Sequence, residues 1–258
     1  MIVEIPGALL VPAHEVNYWR PENHGGVPNI PRALFLHTPE EPADATEVTP
    51  HYFARENFNA DGSRRLASTH YYASGGQGTL GDGQLYQMVP ENCAAIANGL
   101  DGKPLPVWAL ANTSLNWQSL SIEIEGYAAT IAQTMPRLSK QWMTVVRWVE
   151  HLTGKYNIPL DRAHVMGHYE VSVNRTDPGN LNINAIIADA YALREEGDDM
   201  LTETQDKLLT EIAIAAKVAQ VEASEARQLA EGIRDTMNAR WLELWGKLAA
   251  IEKAAGDG

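Results

Sequence analysis

His37, His168 and Asp177 are residue types that can hold zinc: two imidazoles and a carboxylate, with a fourth position left for water. His37 closes the apolar run Ala33-Leu34-Phe35-Leu36-His37, and His168 closes Ala163-His164-Val165-Met166-Gly167-His168. Asp177 lies just downstream, in Asn174-Arg175-Thr176-Asp177-Pro178-Gly179. Hydrolysis at such a centre also needs a base near the water and a donor for the oxyanion that forms. Glu123, in Ser121-Ile122-Glu123-Ile124-Glu125-Gly126, is a candidate base; Arg175, permanently charged and rich in donors, is a candidate oxyanion stabiliser. Spacing alone leaves this open. None of the eight histidines sits in HExxH or another tight metal motif, and a histidine beside an apolar run is more often structural. Everything depends on whether His37, His168 and Asp177 meet in space.

The elements that would bring them together read as an α/β domain. Residues 1–32 form a Pro-, Asn- and Gly-rich lead-in, and Ala33 to His37 is a short continuous apolar run of the kind found in a buried central strand. Thr49 to Asn57 fits a helix begun by Thr49 with Pro50 at its first position. Ser68 to Ala73 and Gln84 to Val89 are β-prone runs around a Gly-rich segment that includes Asp82-Gly83. A hairpin explains them better than a phosphate cradle, which would need a helix after the glycines. Ser121 to Gly126 alternates with period two and puts Glu123 and Glu125 on one face of a strand. Leu138, Trp142, Val145, Val149 and Leu152 mark an amphipathic helix capped by Ser139, and Ile183 to Leu193 marks a second, shorter one.

Near Arg194 the character changes, so the expected division is a domain at 1–195 and a helical segment at 196–258. From about Leu201 to Ala255 the chain has no proline and is rich in Ala, Glu and Leu. Leu208, Ile212, Ala215, Ala219, Leu229, Ile233, Leu244 and Ile251 belong to a seam at three and four spacing, which must pack on itself, on a sister chain or on the first domain. A homo-oligomer built through this helix is the corresponding expectation. Trp241 and Trp245 suit burial in that seam, with an interface or a membrane surface as alternatives.

Composition narrows the partners. The chain has 258 residues and a formal net charge of -13, which argues against non-specific binding of nucleic acid or anionic lipid. Its one cysteine, Cys93, excludes an intrachain disulfide and any CxxC knuckle. No run approaches the roughly 18 apolar residues of a membrane span, and the N-terminus lacks a basic, then apolar leader. Synthesis in a cytoplasm without a signal peptide is the expectation, with any extracellular target reached by a separate route.

Taken in order, Leu34-Phe35-Leu36-His37-Thr38, Ser68-Thr69-His70-Tyr71, Asp82-Gly83-Gln84-Leu85-Tyr86-Gln87, Ser121-Ile122-Glu123-Ile124-Glu125-Gly126, Gly167-His168 and Arg175-Thr176-Asp177-Pro178-Gly179 resemble the zinc-dependent N-acetylmuramoyl-L-alanine amidases of the amidase-2 type. That family also includes peptidoglycan recognition proteins and many phage endolysins. The resemblance covers about residues 30 to 190 and implies a mixed, mainly parallel sheet flanked by helices, with zinc in a surface groove that accepts the peptidoglycan stem. It implies His37, His168 and Asp177 as zinc ligands, Glu123 as the catalytic acid/base and Glu125 as structural. Arg175 stands where the family usually has Lys, which keeps a cation but exchanges a point charge for a planar fork. The loop between His168 and Asp177 is about one residue shorter than in some relatives. Asn98, in Ala95-Ile96-Ala97-Asn98-Gly99, replaces a groove histidine and is expected to bind substrate, with Thr38 and Thr176. His70 is read as a groove residue or one that orients a ligand, with an ordinary strand histidine as the alternative; His14, His24, His51, His151 and His164 are surface or structural. The implied reaction is hydrolysis of the amide between N-acetylmuramic acid and L-alanine in bacterial peptidoglycan, in a phage lysin released by a separate pore-former. The competing expectation is a non-catalytic peptidoglycan-binding module on the same fold, although such binders often lack the third ligand and Asp177 is present.

Overall fold

A computed structural model describes residues 3–40, 49–76 and 80–196, together with positions 237, 240, 241 and 245. The chain divides into two units, Met1–Glu196 and Gly197–Gly258. In the first, the elements are β1 (Leu9–Leu10), β2 (Tyr18–Trp19), β3 (Ala33–His37), α1 (Thr49–Phe53), β4 (Tyr71–Ala73), β5 (Leu85–Gln87), β6 (Ala94–Ala95), β7 (Ser119–Ile124), α2 (Ile131–Thr134), α3 (Lys140–Lys155), β8 (Val165–Gly167) and α4, residues 183–196.

Six strands make one sheet in the order β1-β5-β4-β7-β3-β8. Every pairing in it is parallel except the β4–β5 hairpin. This is the mixed, mainly parallel sheet flanked by helices that the sequence led us to expect, with shorter hairpin strands and with an edge strand, β1, that the Pro-rich lead-in concealed. β2 and β6 form a separate antiparallel pair.

Both faces of β3 are covered, which is why its sequence is apolar without alternation. Leu34 and Leu36 join Ile122, Ile124 and Val165 beneath Val145, Trp148, Val149 and Leu152 of α3 and Ile183, Ile186 and Ile187 of α4. Each such side chain, fully buried, contributes about 1.5–3 kcal/mol. Ala33 and Phe35 face the other way, against Trp108, Leu115, Met166 and Val171. The Ser139 hydroxyl caps α3 by accepting from the Trp142 amide at 3.2 Å. Gln141 then pins the helix start to the sheet, its amide donating to the carbonyls of Ala73 and Glu125 at 3.1 and 2.9 Å. α3 and α4 thus hold one face, and the C-terminal ends of β3, β7 and β8 open on the other side, which is covered by α1 and loops.

Of the second unit, only Met237, Arg240, Trp241 and Trp245 are described; they are helical and their side chains are exposed. The rest of the apolar seam lies outside the described residues. Among the described residues no helix is long and apolar enough to cross a membrane.

Candidate metal centre

Register fixes the site. In the parallel pair β3–β7, His37 stands opposite Glu123, so both side chains leave the sheet on the same face at the strand ends. On the other side of β3, Leu36 is level with Gly167, and the chain enters a 3-10 turn, His168–Glu170, directly afterwards. Gly167 is required here, because a Cβ on it would stand 2.6 Å from Pro178 Cδ. Gly179 then turns the chain at φ +64°, and a Cβ there would meet the Ala128 carbonyl oxygen at 1.9 Å. Two glycines therefore let the 176–179 turn lie against β8 and deliver Asp177 to the histidines.

His37 Nδ1 lies 2.9 Å from Asp177 Oδ2, and His168 Nδ1 lies 3.3 Å from the same oxygen. The imidazoles meet edge to face, centroids 4.6 Å apart. One donor atom from each residue falls within 4.8 Å of the others. Neighbouring ligand atoms around tetrahedral zinc, with bonds near 2.0–2.1 Å, are about 3.3 Å apart. The three residues therefore fit the ion in type and in spacing.

Hydrogen bonding around His37 supports the same conclusion. The Leu115 carbonyl can only accept, so the Ser119 hydroxyl donates to it at 2.6 Å. Ser119 Oγ is thereby left to accept from Asn98 Nδ2 at 2.8 Å, which turns Asn98 Oδ1 toward His37 Nε2 at 2.7 Å. His37 thus keeps a proton on Nε2, and Nδ1, which faces Asp177, is the nitrogen that would give up its proton to a metal. Burial works against a charge on His37, but Asp177 and Glu123 outweigh it and carry its pKa above the ordinary value. Burial prevails at His168, whose pKa is lowered despite Asp177. Burial would raise Asp177; the hydrogen bonds from His168 and His37 reverse this and hold it well below the carboxylate range.

The three donors, Glu123, Thr38 and Arg175 border one cavity of about 390 Å³. Arg175 is exposed at its rim. The Thr38 hydroxyl donates to Glu40 Oε1 at 2.8 Å, and that oxygen also accepts from the Ala128 amide at 2.8 Å. Thr176 is exposed, and its carbonyl accepts from the Gly179 amide. Glu125 is buried beyond the end of β7, accepting from the Ser74 hydroxyl and the Gly75 amide at 2.8 and 2.6 Å, a structural role.

Two expected substrate contacts take other places. Asn98 is 2% exposed and both ends of its amide are engaged by His37 and Ser119, so it orients a ligand instead of lining the groove. His70 is 0% exposed: its Nε2–H donates to the Cys93 carbonyl at 3.1 Å and its Nδ1 accepts from the Ser121 amide at 3.2 Å. Burial lowers its pKa to about 4, the mark of a neutral structural histidine. Sequence reasoning missed Ser119 and Glu40. Ser119 had a signal, since Ser119, Ser121 and Glu123 alternate with Leu120, Ile122 and Ile124 and so share the polar face.

A family model for N-acetylmuramoyl-L-alanine amidase matches residues 28–180, well over half of the chain. The protein belongs to this amidase family. The match spans His37, Glu123, His168, Arg175 and Asp177. Among solved structures the chain is similar to the N-acetylmuramoyl-L-alanine amidase LysC from Clostridium intestinale URNW, at 19% identity over 62% of this chain and 84% of that one, TM-score 0.40. It is similar to a selenomethionine derivative of AmpD at 20% identity over 74% and 99%, TM-score 0.48. The Ph2119 endolysin from the Thermus scotoductus MAT2119 bacteriophage Ph2119 gives 20% over 67% and 97%, TM-score 0.39. No curated protein matches. The assignment rests on the family match. A zinc centre at His37, His168 and Asp177 accords with it.

Proposed function

We propose that this amidase hydrolyses the amide between the lactyl group of N-acetylmuramic acid and L-alanine in bacterial peptidoglycan, as an endolysin-type lysin. The observation that carries the reading is one cavity bordered by a complete donor set, a strand-end glutamate and an arginine. His37, His168 and Asp177 would hold zinc, which would supply Lewis acidity toward the carbonyl and lower the pKa of water toward neutrality. Glu123 takes the proton of the attacking water and passes it to the departing amine, so that water and amide become acid and amine. Arg175 donates to the oxyanion; its fork can hold two acceptors where a lysine offers a point charge. Asn98 and Ser119 keep the His37 ring in one tautomer. Thr38 and Thr176 flank the substrate beside the ligands.

Support for a lysin released by a separate pore-former is family analogy. The apolar C-terminal seam supports self-association through that segment, and light scattering that returns a monomer would remove this part. The activity is tested by incubating the zinc-loaded protein with purified peptidoglycan and assaying released stem peptides. Free peptides with an L-alanine amino terminus and no new reducing ends are expected. Unchanged peptidoglycan at saturating protein would contradict the reading.

A further inference from the structure

His37 and His168 are held in different ways. The His37 ring is fixed through its own nitrogens, by Asn98 and Asp177. The His168 ring has a single ion-pair or hydrogen-bond partner among the described residues, Asp177, besides its edge contact with His37. Its placement is therefore left to the main chain, and the residue before it is Gly167, the type with the greatest backbone freedom. Something outside the strand has to hold that glycine.

β8 is an edge strand, paired with β3 alone. The Leu34 amide donates to the His164 carbonyl at 2.8 Å, so on β8 the even-numbered residues bond toward β3 and the peptide groups of Val165 and Gly167 point out from the sheet edge. Such groups need partners. Two side chains take the place of a further strand. Arg162 donates to the Val165 carbonyl through Nη1 and to Glu170 Oε1 through Nη2 at 2.8 Å, and the same carboxylate oxygen accepts from the Gly167 amide at 2.7 Å. Pro178 and Tyr169 also close in on Gly167, so its position bears on His168 and on the Asp177 turn together. The Arg162 and Glu170 side chains are 34% and 23% exposed, and a pair that open to water adds little to stability. Its value lies in direction. We propose that Glu170, braced by Arg162, is the positioning residue for His168: it fixes the Gly167 amide and so sets where the His168 ring stands in the metal centre.

This rests on the zinc centre described above, and the test reads metal binding instead of turnover. Wild type, Glu170→Ala, Glu170→Gln and Arg137→Ala are titrated with zinc against a chelator. They are also titrated with cobalt(II), whose visible absorption is strong in a four-coordinate site and weak in a six-coordinate one. Glu170→Ala is expected to weaken zinc about tenfold to a hundredfold, the range for losing a group that orients a ligand, and to lower the cobalt band. Glu170→Gln keeps a carbonyl oxygen for the Gly167 amide, so it should stay within about threefold of wild type. Arg137→Ala breaks an exposed ion pair with Asp189 and should leave both metals unaffected. Wild-type zinc affinity and cobalt spectrum in Glu170→Ala would overturn the assignment. Equal losses in Glu170→Gln would overturn it too, by making the charge and not the acceptor the cause, and equal losses in Arg137→Ala would assign the effect to general stability. Should Glu170→Ala fail to fold, Arg162→Ala carries the test: a loss of about threefold to tenfold is expected, and none would overturn the proposal. A wild type that takes up neither metal would overturn the zinc centre itself.

Discussion

Glu91 and Asp177 are both buried carboxylates, at 0% and 8% exposure, and the groups around them differ in kind. Glu91 is enclosed by donors: the hydroxyls of Tyr71 and Tyr156 and the Lys155 ammonium at 2.7 Å, while its own amide donates to Glu4 at 2.9 Å. Burial and the neighbouring Glu91 charge push both phenols well above the ordinary tyrosine range. Asp177 instead meets two imidazole nitrogens that can exchange a proton for a metal, and it opens on a cavity. A buried acid whose acceptor sites are filled by fixed donors cross-links the fold. A buried acid whose partners are themselves ligands, facing open space, is equipped for chemistry.

Removing each acid should break the comparison in opposite ways. Glu91→Ala removes the acceptor of the buried Tyr71 hydroxyl, of the half-buried Tyr156 hydroxyl and of the partly exposed Lys155 ammonium, so a loss of about 3 kcal/mol is expected in urea unfolding, with zinc content of the folded protein unchanged. His70 offers a similar contrast with the ligand histidines. Its folded pKa near 4 lies below the ordinary 6.5, so the unfolded chain binds the extra proton. Its contribution is whole above about pH 6.5, is lost as pH falls toward 4, and is worth about 3 kcal/mol. His70→Gln should flatten that part of the stability–pH curve; an unaltered slope would deny the burial argument. Asn98→Leu, at the metal centre, is expected to weaken zinc about tenfold to a hundredfold in chelator competition, and Asn98→Asp to retain most of it. A change in KM without a change in zinc affinity would return Asn98 to the groove.

The metal centre was legible in the sequence because its parts lie at strand ends or in short turns. An apolar run ending in His37, a period-two strand carrying Glu123, and Gly167-His168 followed by Asp177-Pro178-Gly179 each keep their meaning locally. Asn98 and His70 were misplaced because side-chain type does not say which loop covers a residue. Leu115 and Ser119 decide the fate of Asn98, and Cys93 and Ser121 that of His70. The Glu91 network left no trace at all, since its donors come from Tyr71, Lys155 and Tyr156, remote in sequence and adjacent only once α3 lies on the sheet. The two-residue strand β1 was hidden for a related reason: pairing with β5, not local propensity, makes it a strand.

The central claim is that His37, His168 and Asp177 form one zinc site. Its most direct test is metal content of purified wild type beside Asp177→Ala, both exposed to the same zinc and freed of excess. The account predicts one zinc per wild-type chain and a large deficit in the variant with its fold intact by circular dichroism. Equal zinc in the two proteins would contradict it.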